Sequence, residues 1–448
     1  MKWTQATVRS SHFRPAQVLV VGFAALIVVG TVLLMLPIAT ADGSIPAFST
    51  ALFTATSAVC VTGLVVVSTA SYWSLFGQLV ILLLIQIGGL GIMTAATLIA
   101  LLLGRRIGLR ERLVIQQAMG GASLAGLVRL TKGVLVATFL IEGLGATLLT
   151  IRFAAQFPLG QALYYGVFHS ISAFNNAGFH LFNTSLVPYV ADPAVNLLIA
   201  TLFIVGGLGF IVIADLYRWR THRHWHLAVH SWLVLRVTGL LLVLGTVLVL
   251  LLECNNPGTL GPLPWPQKLL AAFFQSAAPR SCGFHTLMTN QLRPATLLLV
   301  MILMFIGASP GSTGGGIKTT TFAAVVMNLA SIIRGKRSVV INLRQIPGEI
   351  VERAQVILAI SLSLVLGAAF LLLTFGQGTF LAVLFESFSA VGTVGLSMGL
   401  TPQLTAAGRF VLIVAMFAGR LGPLTVATAL ARPSHEGVRY PQERISVG

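Results

Sequence analysis

Four short runs in this chain hold the residue types that could coordinate a dehydrated cation. They are Ser57-Ala58-Val59-Cys60-Val61-Thr62-Gly63, Ser172-Ala173-Phe174-Asn175-Asn176-Ala177-Gly178, Ala277-Ala278-Pro279-Arg280-Ser281-Cys282-Gly283 and Ser389-Ala390-Val391-Gly392-Thr393-Val394-Gly395. Their closing glycines lie 115, 105 and 112 residues apart, so one period near 110 accounts for the 448-residue chain. A cation leaving water needs replacement oxygens, and backbone carbonyls supply them without a fixed charge that would trap the ion. Turning successive carbonyls to one side takes unusual backbone angles, which glycine adopts cheaply. A single glycine after a helix is usually a cap; four in register are a design. The fourth run ends in Thr393-Val394-Gly395, and the other three are variants of that ending.

The elements that position these runs also repeat. Each run is preceded by an apolar span long enough to cross ~30 Å of hydrocarbon, at 18–38, 130–151, 231–253 and 354–375. A short amphipathic piece follows, at 46–58, 161–174, 265–278 and 380–390. A second span closes each repeat, at 74–103, 194–216, 295–333 and 408–430. A short helix ending at the run would aim its partly negative C-terminus at a cation. The second spans share a mark, Ile87-Gly88-Gly89-Leu90-Gly91, Val205-Gly206-Gly207-Leu208-Gly209 and Ala418-Gly419-Arg420-Leu421-Gly422. Its first glycine follows the loop glycine by 25, 28 and 24 residues, and Gly307 follows Gly283 by 24. One such motif alone reads as close helix packing in a membrane. The expected fold is an all-α membrane protein with four tandem helix–pore-helix–filter-loop–helix repeats around one central pore. Repeat 1 is 18–104, repeat 2 with its leading loop 105–217, repeat 3 218–334 and repeat 4 335–431, with tails 1–17 and 432–448.

The third repeat departs from the rule. After Gly307 comes Ala308-Ser309-Pro310-Gly311-Ser312-Thr313-Gly314-Gly315-Gly316-Ile317-Lys318. No stable helix runs through this segment, because glycine costs about 1 and proline about 3 kcal/mol in a helix interior. Irregular backbone at membrane depth is tolerated only against protein or a water-filled cavity, so the segment should line the ion path.

Composition agrees. The chain is 56% hydrophobic and 9% charged, with mean hydropathy +0.92, against about 25% charged residues in soluble domains. The net charge of +17 raises nucleic acid as a partner, but its placement argues against that. Arginines and lysines gather before the first span (Lys2, Arg9, Arg14) and between repeats: Arg105, Arg106, Arg110 and Arg112, then Arg218, Arg220 and Arg223, then Arg334, Lys336, Arg337 and Arg344. This positive-inside bias puts both termini and the inter-repeat loops in the cytoplasm. The first apolar stretch is longer than the 7–15-residue core of a signal peptide, and its pattern recurs in every repeat, so it reads as a retained helix. Three cysteines without a paired spacing support neither a disulfide framework nor a zinc site.

Charged residues inside the spans are functional candidates. Arg420 reads as a pore-facing latch, with a structural pair as the alternative. Arg280, in the third run, would repel a cation; it is expected to point behind the filter and pair with Glu386. Lys132 and Glu142 read as an interfacial lysine and a buried structural acid. Lys318 is expected to reach toward the cytoplasm. Gly311–Gly316 followed by Lys318-Thr319 mimics a phosphate-binding loop, but Ile317 interrupts the pattern and no strand precedes it. His222, His224, His226 and His230 lack the further ligands a metal enzyme would need. No enzymatic activity is expected.

These residues resemble the Ktr/Trk/HKT potassium transporter superfamily, most closely the KtrB-type membrane subunits. The likeness rests on the four runs, on Gly311-Ser312-Thr313-Gly314-Gly315-Gly316-Ile317-Lys318-Thr319, on Gly419-Arg420-Leu421-Gly422-Pro423, and on Tyr440-Pro441-Gln442-Glu443-Arg444. The resemblance implies K+ as the transported ion in a bacterial inner membrane, with Cys60 to Gly63, Asn175 to Gly178, Ser281 to Gly283 and Thr393 to Gly395 as the filter. It implies a gate built from Gly311 to Gly316, Lys318 and Arg420, and stimulation by Na+. It further implies a homodimer bound to a cytosolic ring of nucleotide-binding regulatory domains, with no nucleotide on this chain. The competing reading is a secondary cation transporter with its site at the broken helix; such folds also use discontinuous helices, usually in two inverted repeats.

Overall fold

Apolar length sorts the helices into two kinds. The computed structural model describes residues 15–91, 127–221, 226–336, 338–341, 344–422 and 425. In chain order the described helices of more than four residues are α1 (Pro15–Leu34), α2 (Phe48–Val59), α3 (Leu75–Leu90), α4 (Leu127–Phe153), α5 (Leu159–Phe174), α6 (Pro193–Leu208), α7 (Phe210–Thr221), α8 (Val229–Glu253), α9 (Trp265–Ala277), α10 (Pro294–Phe305), α11 (Thr319–Ile333), α12 (Gly348–Thr374), α13 (Phe380–Gly392) and α14 (Ala406–Leu421). Only α1, α4, α8 and α12 are long and apolar enough to cross a membrane as single described helices. They carry exposed Val28, Leu140, Val243 and Phe370, as lipid contact requires. The short α2, α5, α9 and α13 bury their C-terminal halves.

The sequence reading placed a break only in the third of the second spans. The structure breaks them more widely. α3, α6 and α14 each end at a glycine in one unusual conformation: Gly91 (φ 83, ψ 140), Gly209 (φ 92, ψ 139) and Gly422 (φ 84, ψ 133). Past Gly209 the chain resumes as α7, bent by 98°, so 194–216 is two helices. Residues 92–103 and 426–430 lie outside the described residues, as do 1–14, the arginines from Arg105 to Arg112, His222, His224 and the tail from 431. A two-residue antiparallel pair, β1 (Val340–Ile341) with β2 (Arg344–Gln345), interrupts the otherwise helical fold before α12.

Local chemistry fixes where α3, α6 and α14 begin. Ser74 accepts from the Gly77 N–H, Asp192 from Ala194 and Val195, and Thr405 from Gly408. Each satisfies backbone donors that the first helical turn leaves open. Arg293, ahead of α10, has no side-chain cap of its own; its backbone N–H donates instead to Glu253 Oε1 at 2.9 Å, from the end of α8. The repeated glycines then let the helices meet. A Cβ at Gly88, Gly206 or Gly419 would stand within 3.0 Å of the carbonyl carbon of Val59, Phe174 or Val391, the residue at or near the end of the short helix in the same repeat.

Candidate functional site

The four runs lie side by side in a closed cycle. A Cβ on Gly63 would strike the carbonyl oxygen of Ala177; one on Gly178 would lie 2.5 Å from the Gly283 nitrogen; one on Gly283 would lie 2.9 Å from the Val394 oxygen; and one on Gly395 would strike the Thr62 oxygen. The contacts run from the first repeat to the second, third and fourth and back to the first. Three glycines sit at φ +87, +71 and +95, for Gly63, Gly178 and Gly395.

The backbone of three runs follows one pattern. The residue two before the glycine is left-handed although it is not glycine: Val61 (φ 56), Asn176 (φ 62) and Thr393 (φ 50). Left-handed backbone at a residue with a Cβ costs roughly 1–2 kcal/mol, so the surroundings must hold it. The next N–H returns to the carbonyl five residues back: Thr62 to Ser57, Ala177 to Ser172, Val394 to Ser389, at 2.8–2.9 Å. Ser57 Oγ and Ser389 Oγ then accept from the N–H of Gly63 and Gly395 at 3.1 and 3.0 Å, while Ser172 Oγ donates to the Phe179 carbonyl at 2.6 Å. The sequence reading missed these serines. Their signal was present, since each of the three runs opens on serine six residues ahead of its glycine and the third opens on Ala277.

The third run is built otherwise. Pro279 sits in a tight turn over Ala278–Arg280, Ser281 stands at φ −167 and ψ −2 rather than left-handed, and the Cys282 N–H bonds four residues back, to Ala278. Arg280 does not pair with Glu386, which corrects the sequence reading. Its Nη2 reaches only Thr238 Oγ1 on α8, at 3.5 Å. The Glu386 carboxylate is occupied by the Ser397 hydroxyl, the Met398 N–H at 3.2 Å and the Thr401 hydroxyl at 2.8 Å. Short polar loop groups thus satisfy it without a counter-charge.

The broken segment folds back against the ring. Ile306 and Ile317 pair as an isolated parallel bridge, so the backbone between them forms a loop. A Cβ on Gly314 would meet Ser281 Cβ at 2.9 Å, and one on Gly315 would overlap the Thr393 side chain. The segment therefore abuts the third and fourth runs at the position two before their glycines. The second repeat holds it too. Ser309 N–H donates to the Gly207 carbonyl at 3.0 Å, Thr313 N–H to Gly206 at 3.2 Å, and Phe210 N–H to Gly311 at 2.9 Å. The Asn176 side-chain amide bridges Ser281 Oγ and Thr313 Oγ1, each at 2.7 Å, with Nδ2 toward Ser281 and Oδ1 toward Thr313.

Two cations close the arrangement. The Arg420 guanidinium donates to the Thr313 and Gly88 carbonyls, and to Gly89 at 3.3 Å. Among the described residues its partners are carbonyls and none is an acid, and it ties the first, third and fourth repeats together. Lys318 was expected to reach the cytoplasm; instead its Nζ donates to the Gly314 carbonyl at 2.8 Å. Around the runs, the Thr62 and Thr393 hydroxyls are buried without a protein partner. Among the described residues, no group of three His, Cys, Asp or Glu could hold a metal.

Residues 3–440 match the family model described as TrkH, a cation transport protein. The chain belongs to the TrkH family. This TrkH-family chain is 44% identical to the Ktr system potassium uptake protein B of Bacillus subtilis, over 98% of its own length and 97% of the relative's. It is 37% identical to the potassium/sodium uptake protein NtpJ of Enterococcus hirae, over 97% of each. Its fold is similar to the crystal structure of the potassium transporter TrkH from Vibrio parahaemolyticus, with a TM-score of 0.74 at 18% identity, covering 96% of this chain and 87% of that one. Membership in a family of transport proteins agrees with the reading against an enzyme.

Proposed function

We propose that this protein takes up potassium across a bacterial inner membrane through a channel-like path, with the four runs as its filter. The closed cycle of Gly63, Gly178, Gly283 and Gly395 carries this reading. It brings the carbonyls of Thr62, Ala177 and Val394 to one small ring, the arrangement a dehydrated monovalent cation needs. Four repeats with the boundaries 18–104, 105–217, 218–334 and 335–431 surround that path, and both termini are cytoplasmic. The potassium named for the B. subtilis and E. hirae relatives supports the choice of ion.

Gly311 to Gly316 and Lys318, carried by the segment 306–318, act as the gate together with Arg420. In the form described, the segment abuts the ring and is held by Arg420, Lys318 and Asn176. Opening requires these contacts to break together, so the gate is bistable rather than graded. Stimulation by Na+ draws support from the potassium/sodium name of the E. hirae relative. A partner subunit draws support from the word "system" in the B. subtilis name; that this partner is a nucleotide-binding ring, and that the chain is a homodimer, rest on the family resemblance.

The test is potassium uptake in a bacterium lacking its own potassium transport, comparing wild type with Gly178→Ser and Gly395→Ser at matched expression. Uptake that weakens or loses its preference over sodium in both variants supports the filter. Wild-type uptake unchanged in both would move the ion path elsewhere and favour a secondary transporter with its site at 308–316.

A further inference from the structure

Glu142 is an acid inside the membrane that the transport reading leaves unused. It lies midway along α4 with its side chain almost wholly buried, 4% exposed. Its carboxylate accepts from Asn175 Nδ2 at 2.8 Å and from Gln86 Nε2 at 3.2 Å. Both donors are neutral amides. No ion pair between described residues involves Glu142, so no described cation compensates it. A buried carboxylate without a counter-charge is costly, and an ionisable group at this depth is a functional candidate by default.

Beside it is a cavity of about 390 Å³, formed by α3, α4 and α5. That size falls within the range of small-molecule sites, as does a lining of apolar side chains with a few polar groups. Here Gln86 and Glu142 are the polar groups, and Leu82, Ala146, Val167 and Ile171 are among the apolar ones. The rim includes Leu79, Leu83 and Phe139, which are 47%, 56% and 52% exposed. They belong to the outer apolar surface of the described residues, the kind of face a bilayer covers, and a ligand would enter from that side.

We propose that this cavity is a binding site for a lipophilic ammonium ion, with the charged head against Glu142 and the hydrocarbon tail against the leucines of α3. Charge selects the head, because the carboxyl group has lone pairs that two amide hydrogens do not saturate and no cation beside it among the described residues, so an arriving ammonium would supply the counter-charge that favours its ionised form. Apolar burial selects the tail. Asn175 links the site to the second run: its Nδ2 is shared among Glu142 Oε1, Gln86 Oε1 and the Ile171 backbone carbonyl, and it precedes the left-handed Asn176.

The experiment is photolabelling of the full-length protein in lipid nanodiscs with a diazirine-bearing alkylammonium, competed by octylammonium or by neutral octanol. We expect label on α3 and α4 peptides, displaced by octylammonium but not by octanol. Glu142→Gln should reduce labelling at least about tenfold, as loss of one partner of a buried charge pair does. Leu83→Trp keeps the carboxylate and blocks the mouth, and should also abolish labelling. Equal competition by octanol, or wild-type labelling in a folded Glu142→Gln protein, overturns the proposal. So does label confined to the four glycine runs. None of these readouts depends on whether the runs form the filter, which the uptake variants test separately.

Discussion

The first, second and fourth repeats differ from the third in the same three places. Their runs turn through a left-handed residue two before the glycine, and α3, α6 and α14, which follow those runs, begin with a side-chain cap and end at a glycine with φ between +83 and +92. The third run is braced by Pro279 with no left-handed residue at Ser281, the helix after it, α10, starts on a backbone N–H held by Glu253, and that helix gives way to the loop 306–318. Three repeats therefore make a frame from one set of local bonds. The third gives up those bonds at the run and spends its irregular backbone on a segment that the other repeats hold from outside. A part held by contacts with separate elements can move when those contacts change; a part held by its own local bonds cannot.

Substitutions can break this comparison, and the glycines should do so most strongly. Gly63→Ala and Gly395→Ala each place a Cβ at positive φ and against a neighbouring carbonyl. The backbone strain alone is worth roughly 1–2 kcal/mol, so potassium-over-sodium selectivity should fall by about tenfold or more. Gly283 has no positive φ and meets its nearest atoms at 2.9–3.0 Å. Gly283→Ala should therefore cost less, and paired uptake of the two ions would measure the difference. An equal loss in all three would mean that the third run is not special.

Next in size is the clamp. Arg420→Ala removes a charged donor from the Thr313, Gly88 and Gly89 carbonyls, and bonds of this kind are worth ~1.5–3 kcal/mol. Flux through the otherwise closed protein should rise by about tenfold, measured as rubidium efflux from proteoliposomes. Lys318→Ala, which frees one carbonyl, should raise it less. Flux that stays flat in both would detach 306–318 from gating.

The serines give a smaller effect. Ser57→Ala or Ser389→Ala leaves a buried glycine N–H without its acceptor, at a cost of ~1–3 kcal/mol, and should weaken selectivity severalfold. Ala277→Ser, the reverse change in the third run, should leave it unaltered. Smallest of all, Thr405→Ala should lower stability by ~1 kcal/mol through loss of a helix cap, seen as a lower melting temperature of the detergent-solubilised protein. Arg293→Ala should not touch the equivalent cap, because there the backbone donates.

Much of this was legible in the sequence because it is periodic. The four glycine runs, the glycine pairs that follow them and the unhelical stretch after Gly307 are each stated by residue type and spacing. The Arg280–Glu386 pair was not legible. Matching depth in two repeats says nothing about direction, and Glu386 found Ser397, Met398 and Thr401 within its own loop. Nor could spacing show that Lys318 turns back to Gly314, or that α6 and α7 meet at 98°. Gly209 permits that turn, but glycine permits a straight helix as well.

By itself the sequence determined which backbone positions had to be free of side chains, because a run that must bring its carbonyls to a shared ring tolerates glycine and little else. It determined the apolar spans as well, since their length and lack of charge answer to the bilayer. Tertiary structure alone decided that Gly63 meets Ala177, that Asn176 joins Ser281 to Thr313, and that Arg420 reaches across three repeats. Those contacts join residues more than 100 positions apart. No local preference fixes them; they exist only once four similar units have packed around a common centre and each buried polar group has been left to find its partner there.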